Sequence, residues 1–333
     1  MRVETPSIHA EQITAHLGLV HPPARVEQGR EERSGPKLGD GELDLAGGGG
    51  HRLEALAVAA VGAMRGALVA LRADHGGGLG VDQVLQPGLE QTPEDVIVSQ
   101  IRVGQDFPDQ RGHGRSDGER GDAPSIGRLI ADVDEFVAHI EQRFGFETQN
   151  LAVIAQSVGA VLVSAWLHDY APRVRCAVLA SPAFSVKLYV PFARAVLKAL
   201  YHACGNFFVN SYVKAHYLTH DKQRQASYDA DSLITRAISV RILLGLYEAA
   251  QRVVSDAAAI TTPTLLLISG DDWVVEHAPQ HEFYNALGAR VKRREILDRF
   301  YHDTLGESER ERAFRVVREF VGERFSAPFS EVD

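Results

Sequence analysis

Residues 151–160 read LAVIAQSVGA, and this stretch decides the fold of the chain. An apolar run rich in β-forming residues stops at Ser157, and a second apolar run at helical spacing follows. A buried strand that turns sharply into a helix strains the serine backbone and leaves room only for small side chains two residues away on each side. Ala155 and Gly159 meet that demand, although the usual pattern has glycine at both places. The stretch therefore predicts a nucleophile elbow at Ser157, and an ordinary strand-to-helix turn is the alternative.

An acid and a histidine follow Ser157 in the order that a serine hydrolase on an open α/β sheet requires. Residues 262–270 read as a turn, a buried strand and a strand-ending glycine, and Asp271 and Asp272 come directly after them. His302 lies further along, on a loop before the last helix. Because sites on open sheets lie at the carboxyl ends of the strands, these side chains are expected to meet beside Ser157. The order predicts a catalytic triad of Ser157, His302 and one of the two aspartates.

Two further segments resemble the monoacylglycerol lipase and lysophospholipase branch of the α/β-hydrolase superfamily, of the serine aminopeptidase S33 type. Residues 109–121, DQRGHGRSDGERG, are similar to that branch's loop after an early strand, and residues 301–303 are similar to its histidine loop. The resemblance extends from Asp109 to about Phe325, and it is also a resemblance to the hydrolase part of bacterial hydrolase–methyltransferase fusions. We expect no methyltransferase segment in this chain. The resemblance implies an α/β-hydrolase fold, with a mostly parallel sheet, helices on both faces and an inserted helical cap.

The resemblance also bears on the acid of the triad. In the family the acid precedes one variable residue and two aliphatic residues, and Asp272 with the three residues after it, Trp273, Val274 and Val275, matches that frame. The glycine-to-acid spacing is one residue shorter than usual, so Asp271 stays open as the alternative. With Asp272, the predicted roles are a Ser157 nucleophile, a His302 general base and an acid that holds the imidazole.

An oxyanion hole would complete such a site. The backbone N–H of Val158, directly after the nucleophile, is the predicted first donor. The family implies a second donor from a His-Gly loop after an early strand, and that loop is not found where it belongs. Residues 75–78, HGGG, look like the loop of some esterases, but residues 70–74, ALRAD, do not read as a clean strand. We interpret the HGGG segment as a coincidence in a glycine-rich region.

The chain changes character near Asp109. Before it, residues 47–50 and 76–78 are all glycine, residues 53–71 form an Ala- and Val-rich run, and no convincing strand is visible. Residues 1–108 are therefore expected to be poorly ordered or foreign to the fold, through either a reading-frame error in the gene or a divergent extension. The other predicted parts are a hydrolase core in two pieces, at residues 109–184 and 259–326, a helical cap between them at residues 185–258, and a tail at residues 327–333.

Composition and motifs exclude several classes of function. The formal charge of −9, without a basic stripe, argues against a nucleic-acid partner. No CxxC or HExxH spacing occurs, so neither a metal nor a cofactor is expected. The run at residues 53–71 carries Arg65 and is not expected to span a membrane, and the start lacks a secretory signal. Two unpaired cysteines, with Cys176 read as a small buried hydrophobic residue, indicate a reducing compartment and a cytoplasmic location.

Residues 187–258 read as mostly helical, without a buried strand, and so predict the cap. Its apolar residues either line an acyl pocket or form the cap's own core; they are Tyr189, Phe192, Leu197, Tyr201, Phe207, Phe208, Tyr212 and Tyr217. Its basic residues suit either an anionic membrane surface, which would make the protein peripheral to the inner membrane face, or a solvated helix face; they are Lys187, Arg194, Lys198 and Lys214.

The sequence therefore predicts a serine carboxylic-ester hydrolase that works through an acyl-enzyme. The resemblance implies monoacylglycerol, lysophospholipid or a similar small acyl ester as substrate. The alternative is a catalytically impaired member of the fold that binds a lipid or a partner, because the oxyanion loop is unaccounted for. A C–C or C–halogen hydrolase with the same triad is the third possibility.

Overall fold

The computed structural model describes residues 109–144, 147–187, 192–211, 213–327 and 329, with the backbone alone at residues 143–144. Before residue 109 it describes the backbone of three strands, at 19–20, 68–73 and 101–103. The predictions on the glycine runs, on the HGGG segment, on residues 53–67, and on Tyr189 and Tyr212 lie outside the described residues, as does most of the tail.

A six-stranded sheet forms the centre of the fold. The described part of the chain has nine strands, six of them in this sheet. In chain order they are β1 (Leu19–Val20), β2 (Leu68–Ala73), β3 (Ile101–Val103), β4 (Leu151–Gln156), β5 (Cys176–Ala180), β6 (Phe208–Asn210), β7 (Ala237–Ser239), β8 (Thr264–Ser269) and β9 (Lys292–Leu297). The central sheet has the order β3-β2-β4-β5-β8-β9, and β4, β5, β8 and β9 are parallel. Every residue of β4, β5 and β8 is buried, as the continuous apolar runs predicted. The predicted α/β fold is confirmed.

Helices cover both faces of this sheet. They are α1 (Ile126–Phe144), α2 (Val158–Tyr170), α3 (Ala193–Cys204), α4 (Lys222–Ala230), α5 (Val240–Ser255), α6 (His277–Ala286) and α7 (Glu311–Ser326). Strand residues alternate between two apolar clusters, because successive side chains of a strand point to opposite faces. Val153 and Leu179 belong to the cluster of α1, α2 and α5, whereas Ile154 and Val178 pack with Phe320 of α7.

The prediction that no strand precedes residue 109 is wrong. β2 pairs antiparallel with β4, with Leu68 opposite Ala155 and Arg72 opposite Leu151. Strand pairing uses backbone groups, so the charge of Arg72 does not prevent it, and the apolar residues of β2 favour a strand. Because the two strands are antiparallel, Ala73 ends β2 at the sheet edge opposite Ser157.

The segment between β5 and β8 contains α3, α4 and α5 together with two short strands that the helical prediction did not include. β6 pairs antiparallel with β7 on one side and with β1 on the other. Helix α5 packs on α2 and α6, so it belongs to the layer that covers the central sheet. The exact boundaries of the predicted cap stay a prediction.

Two residues near the start of this segment do not fit the roles predicted for them. Phe192 is 83% exposed and therefore fills no cap core. Lys187 donates from Nζ to the backbone carbonyl of Asp272 at 2.6 Å, so it holds that loop and is not free to face a lipid surface. Arg194 and Lys198 are exposed on α3. In the part of the chain that the structure describes, no helix combines the length and hydrophobicity needed to cross a bilayer.

A charged cluster joins the ends of α2 and α5 and makes stability depend on pH. The ring nitrogens of His168 lie 2.7 Å from Asp169 Oδ1 and 3.0 Å from Asp256 Oδ2. The hydrogen bond to Asp169 raises the pKa of His168 above its ordinary 6.5, against the effect of burial and with help from Asp256. The stabilisation by protonated His168 is therefore complete below pH 6.5 and is lost as the pH rises through the raised pKa.

For His168→Asn we expect a larger loss of Tm at about pH 5.5 than at about pH 8.5, because only the protonated imidazole attracts both carboxylates. Thermal unfolding of both proteins at the two pH values measures this difference. An equal loss at both values would contradict the assignment.

Candidate active site

Ser157 lies between β4 and α2 in a strained conformation, with φ +56° and ψ −121°. Non-glycine residues rarely adopt positive φ, and such strain concentrates at functional sites. The serine N–H donates to the Ala180 carbonyl of β5 at 2.9 Å, which ties the turn to the sheet. Ala155 is buried in the strand, so its methyl group fits where the usual pattern has glycine. The side chain of Ser157 is therefore presented at the carboxyl ends of the parallel strands.

His302 reaches Ser157 from the loop between β9 and α7. Its Nε2 lies 2.7 Å from Ser157 Oγ, although the two residues are 145 positions apart in the chain. The imidazole is fully buried and Ser157 is 4% exposed, so little water reaches this hydrogen bond.

Asp272 completes the chain of hydrogen bonds. Its Oδ2 lies 2.8 Å from His302 Nδ1, and its Oδ1 accepts the N–H groups of Val274 and Val275 at 2.7 and 3.0 Å. Burial raises the pKa of Asp272, but the charge and hydrogen bond of His302 and the two N–H groups outweigh it, so the pKa lies below its usual range. An ionised carboxylate only accepts hydrogen bonds, so Nδ1 carries a proton, and in the neutral imidazole Nε2 is then the acceptor for the hydroxyl of Ser157.

The neighbouring aspartate has a different environment. Asp271 is exposed, and its N–H donates to the Phe300 carbonyl at 2.9 Å. The structure therefore brings Asp272, and not Asp271, to His302. Such a chain of serine, histidine and aspartate can pass a proton from the hydroxyl to the imidazole and stabilise the imidazolium that results.

The loop of Asp272 is braced by the residues that leave β5. Val186 pairs with Val275 as an isolated bridge, and the Lys187 N–H donates to the Val274 carbonyl at 2.8 Å. On the other side, the Glu276 N–H donates to the Ser185 carbonyl at 2.8 Å. Together with the contact from Lys187 Nζ, these bonds fix the acid loop from outside the site.

Val158 is the first residue of α2. The first N–H groups of a helix have no partner within the helix, and the helix N-terminus stabilises a nearby negative charge. This is the position predicted for the first oxyanion donor. The second donor was expected in residues 1–108, most of which lie outside the described residues. Within the described part of the chain, no group of three or more His, Cys, Asp or Glu side chains could hold a metal ion.

Three buried hydroxyl groups lie beneath the histidine loop, and they were not predicted from the sequence. Thr304 Oγ1 is 2.9 Å from Ser181 Oγ and 3.0 Å from Ser269 Oγ. The serines stand just after β5 and at the end of β8, so their position at strand ends was the signal that could have found them. The three hydroxyls fix the backbone two residues after His302.

Thr304→Val is expected to lower the free energy of unfolding by about 1–3 kcal/mol, because the two buried serine hydroxyls lose a partner. Thr235→Val is the matched control: Thr235 is also buried, and its hydroxyl has no hydrogen-bond partner among the described residues. Urea unfolding measures both variants. Equal losses in the two variants would show that the hydroxyl contacts of Thr304 add no stability.

Comparison with known proteins gives a consistent picture. A family model described as "Serine aminopeptidase, S33" matches residues 107–309, more than half of the chain. The uncharacterized protein YnbC of Escherichia coli K12 is 53% identical over 225 residues, which cover 68% of this chain and 38% of YnbC. The chain thus spans little more than a third of that relative. A monoacylglycerol lipase of Mycolicibacterium smegmatis is 26% identical over 211 residues, 60% of this chain and 71% of that protein.

Solved structures share the fold. The crystal structure of a monoacylglycerol lipase from Paleococcus ferrophilus has a TM-score of 0.59 at 21% identity, and covers 66% of this chain and 82% of its own. A soluble variant of monoglyceride lipase from Saccharomyces cerevisiae has a TM-score of 0.56 at 12% identity, and covers 66% and 76%. Together with the family model and the relative from Mycolicibacterium smegmatis, these matches confirm the predicted resemblance to the monoacylglycerol lipase-like branch of the α/β-hydrolases.

Proposed function

Because the chain belongs to the serine aminopeptidase S33 family of α/β-hydrolases, we propose that it is a serine carboxylic-ester hydrolase with Ser157 as its nucleophile. One observation carries the proposal: a strained Ser157 shares a buried hydrogen-bond chain with His302 and an ionised Asp272. This arrangement has the residue types, order and distances that acyl transfer needs.

The proposed reaction has two halves. In the first, His302 Nε2 takes the proton of Ser157 as Oγ attacks the acyl carbonyl, and the Val158 N–H binds the oxyanion. The ester bond then breaks, the alcohol leaves with the proton from His302, and an acyl-enzyme remains. In the second half, water gives a proton to His302 and attacks the acyl carbon. The bond to Oγ then breaks, His302 returns the proton to Ser157, and the carboxylic acid leaves. Throughout, Asp272 holds the imidazole and stabilises its charged form.

The substrate we propose is a monoacylglycerol, a lysophospholipid or a similar small acyl ester. The lipases among the similar proteins support a lipid-like ester. Half-buried aromatic residues of the segment between β5 and β8 offer apolar surface for an acyl chain; they are Tyr201, Phe207, Phe208 and Tyr217. At the start of α3, exposed Phe192 and Val196 stand beside exposed Arg194 and Lys198, which suits contact with an anionic lipid surface.

The test uses the full chain with a monoacylglycerol, p-nitrophenyl esters of increasing acyl length, and an aminoacyl p-nitroanilide as the amide contrast. We expect ester turnover, with little amide turnover, and labelling of Ser157 by a fluorophosphonate. Folded protein with neither turnover nor labelling would overturn the proposal in favour of the catalytically impaired alternative. Labelling without ester turnover would direct the search to C–C or C–halogen bonds.

A further inference from the structure

Gln156, the residue before Ser157, is a buried polar side chain that the proposed reaction does not use. Its Nε2 donates to Asp303 Oδ1 at 2.9 Å, and its Oε1 accepts the Leu305 N–H at 3.1 Å. One side chain at the end of β4 therefore holds the histidine loop on both sides of Thr304. This contact links the residue next to the nucleophile with the residue next to the imidazole.

Asp303, directly after His302, is 5% exposed and is held from a second direction. Its Oδ2 accepts Arg224 Nε at 2.6 Å, and its backbone N–H donates to the Leu218 carbonyl at 2.7 Å. The side chain of Arg224 is also largely buried. A buried carboxylate is stable only with charged or hydrogen-bonded partners, so the loss of Arg224 would leave Asp303 undercompensated.

Arg224 belongs to α4, in the segment between β5 and β8, and the start of this helix is itself fixed. Asp221 caps α4 by accepting the N–H groups of Gln223 and Arg224. Gly306 makes room for the ion pair, because a Cβ there would lie 2.0 Å from Arg224 Nε and 2.2 Å from Asp303 Oδ2. The histidine loop thus has a shape that admits a guanidinium from α4.

Two other contacts join the same parts of the chain without reaching Gln156. His220 Nδ1 lies 2.7 Å from Glu307 Oε1, and Arg310 Nη1 lies 3.4 Å from Asp221 Oδ2. Both of these contacts can hold α4 against the histidine loop. Glu307 Oε1 also accepts the Tyr301 N–H at 3.2 Å, on the other side of His302. The pair of Arg224 and Asp303 differs from both contacts because it continues to Gln156, the residue next to Ser157.

We propose that Arg224 is a positioning residue, which acts through Asp303 and Gln156 to hold His302 in register with Ser157. The segment that carries α4 then contributes to the catalytic geometry as well as covering the site. This inference rests on the proposed function. A displacement of about 1 Å in a reacting group can cost on the order of 100-fold in rate, so a small movement of the loop is enough to be measured.

The test compares Arg224→Met and Arg224→Lys with Arg310→Met as matched control. For Arg224→Met we expect kcat to fall about 30- to 100-fold while KM changes by less than about threefold, because the imidazole moves and substrate binding does not. Arg224→Lys, which keeps the charge, should regain part of kcat. Arg310→Met removes the other arginine contact between the two segments and should keep kcat within about threefold of the wild type.

A double-mutant cycle and a spectroscopic measurement complete the design. Combining Asp303→Asn with Arg224→Met should lower kcat little further, because both changes break one contact. The low-field proton NMR signal of His302 Nδ1–H should shift or broaden in Arg224→Met and stay unchanged in Arg310→Met. This signal needs no substrate, so it tests the position of His302 even if the wild-type protein turns over no ester.

Two results would overturn the inference. One is a loss of kcat that is proportional to the loss of Tm in both Arg224→Met and Arg310→Met. That outcome is expected of a contact that only stabilises the fold. The other is an unchanged Nδ1–H signal in Arg224→Met. If Arg224→Met does not fold, Arg224→Lys is subject to the same two criteria. Absence of ester turnover in the wild type, with the signal shifted as expected, would overturn only the proposed function.

Discussion

Ser157→Ala is expected to lower kcat for ester hydrolysis by about 10⁴-fold or more, because alanine has no oxygen to form the acyl-enzyme. The hydroxyl accounts for one side-chain hydrogen bond, to His302, so Tm should change little. Fluorophosphonate labelling should disappear together with turnover. Initial rates at saturating p-nitrophenyl ester measure the first effect, and mass spectrometry of the treated protein measures the second.

Ser164→Ala is the matched control for this experiment. Ser164 is buried in α2, the helix that follows the elbow, and its Oγ donates to the Ala160 carbonyl at 2.6 Å. This variant should keep kcat within about twofold, because a local hydroxyl-to-backbone bond is worth about 1 kcal/mol to stability and is remote from the chemistry. Persistent activity in Ser157→Ala would mean that another group is the nucleophile.

Asp272→Asn is expected to have the second largest effect, a loss of about 10⁴-fold in kcat, because an amide can donate a hydrogen bond to Nδ1 and so stabilise the wrong tautomer of His302. The amide oxygen can still accept the N–H groups of Val274 and Val275, so the loop should keep its shape. Steady-state kinetics together with circular dichroism separate the loss of activity from unfolding.

The neighbouring Asp271→Asn provides the control, since Asp271 is exposed and does not contact His302. It should leave kcat within about twofold of the wild type, because an exposed carboxylate contributes little. If Asp271→Asn is the damaging variant and Asp272→Asn is not, the roles of the two aspartates must be exchanged.

The elbow and the acid could be named from the sequence because each follows a strand whose apolar pattern is local, whereas His302 was named from the chain order and from its likeness to the family's histidine loop. Once β4, β5, β8 and β9 form one parallel sheet, their carboxyl ends lie on the same side, and Ser157, Asp272 and His302 come together. The choice of Asp272 needed a family pattern in addition. The catalytic role of the three residues stays a prediction until the variants are assayed.

Other features depend on contacts that no local pattern reveals. β2 was missed because its partner β4 lies some 80 residues away in the chain, and Arg72 argued against a strand. The contact of Arg224 with Asp303 joins an inserted helix to a loop 79 positions later, and charged residues in helices are usually solvated. Gln156 offered one clue, as a polar residue at the end of an otherwise apolar strand.

The two thiols of the chain differ in a way that is useful in practice. Cys176 is fully buried in β5, and burial raises its pKa to about 12, so it stays a protonated and inert thiol. Cys204 is exposed at the end of α3. A maleimide dye should therefore attach at Cys204 alone in the folded wild-type protein. Its emission would report how the segment between β5 and β8 responds to micelles, and no engineered cysteine is needed.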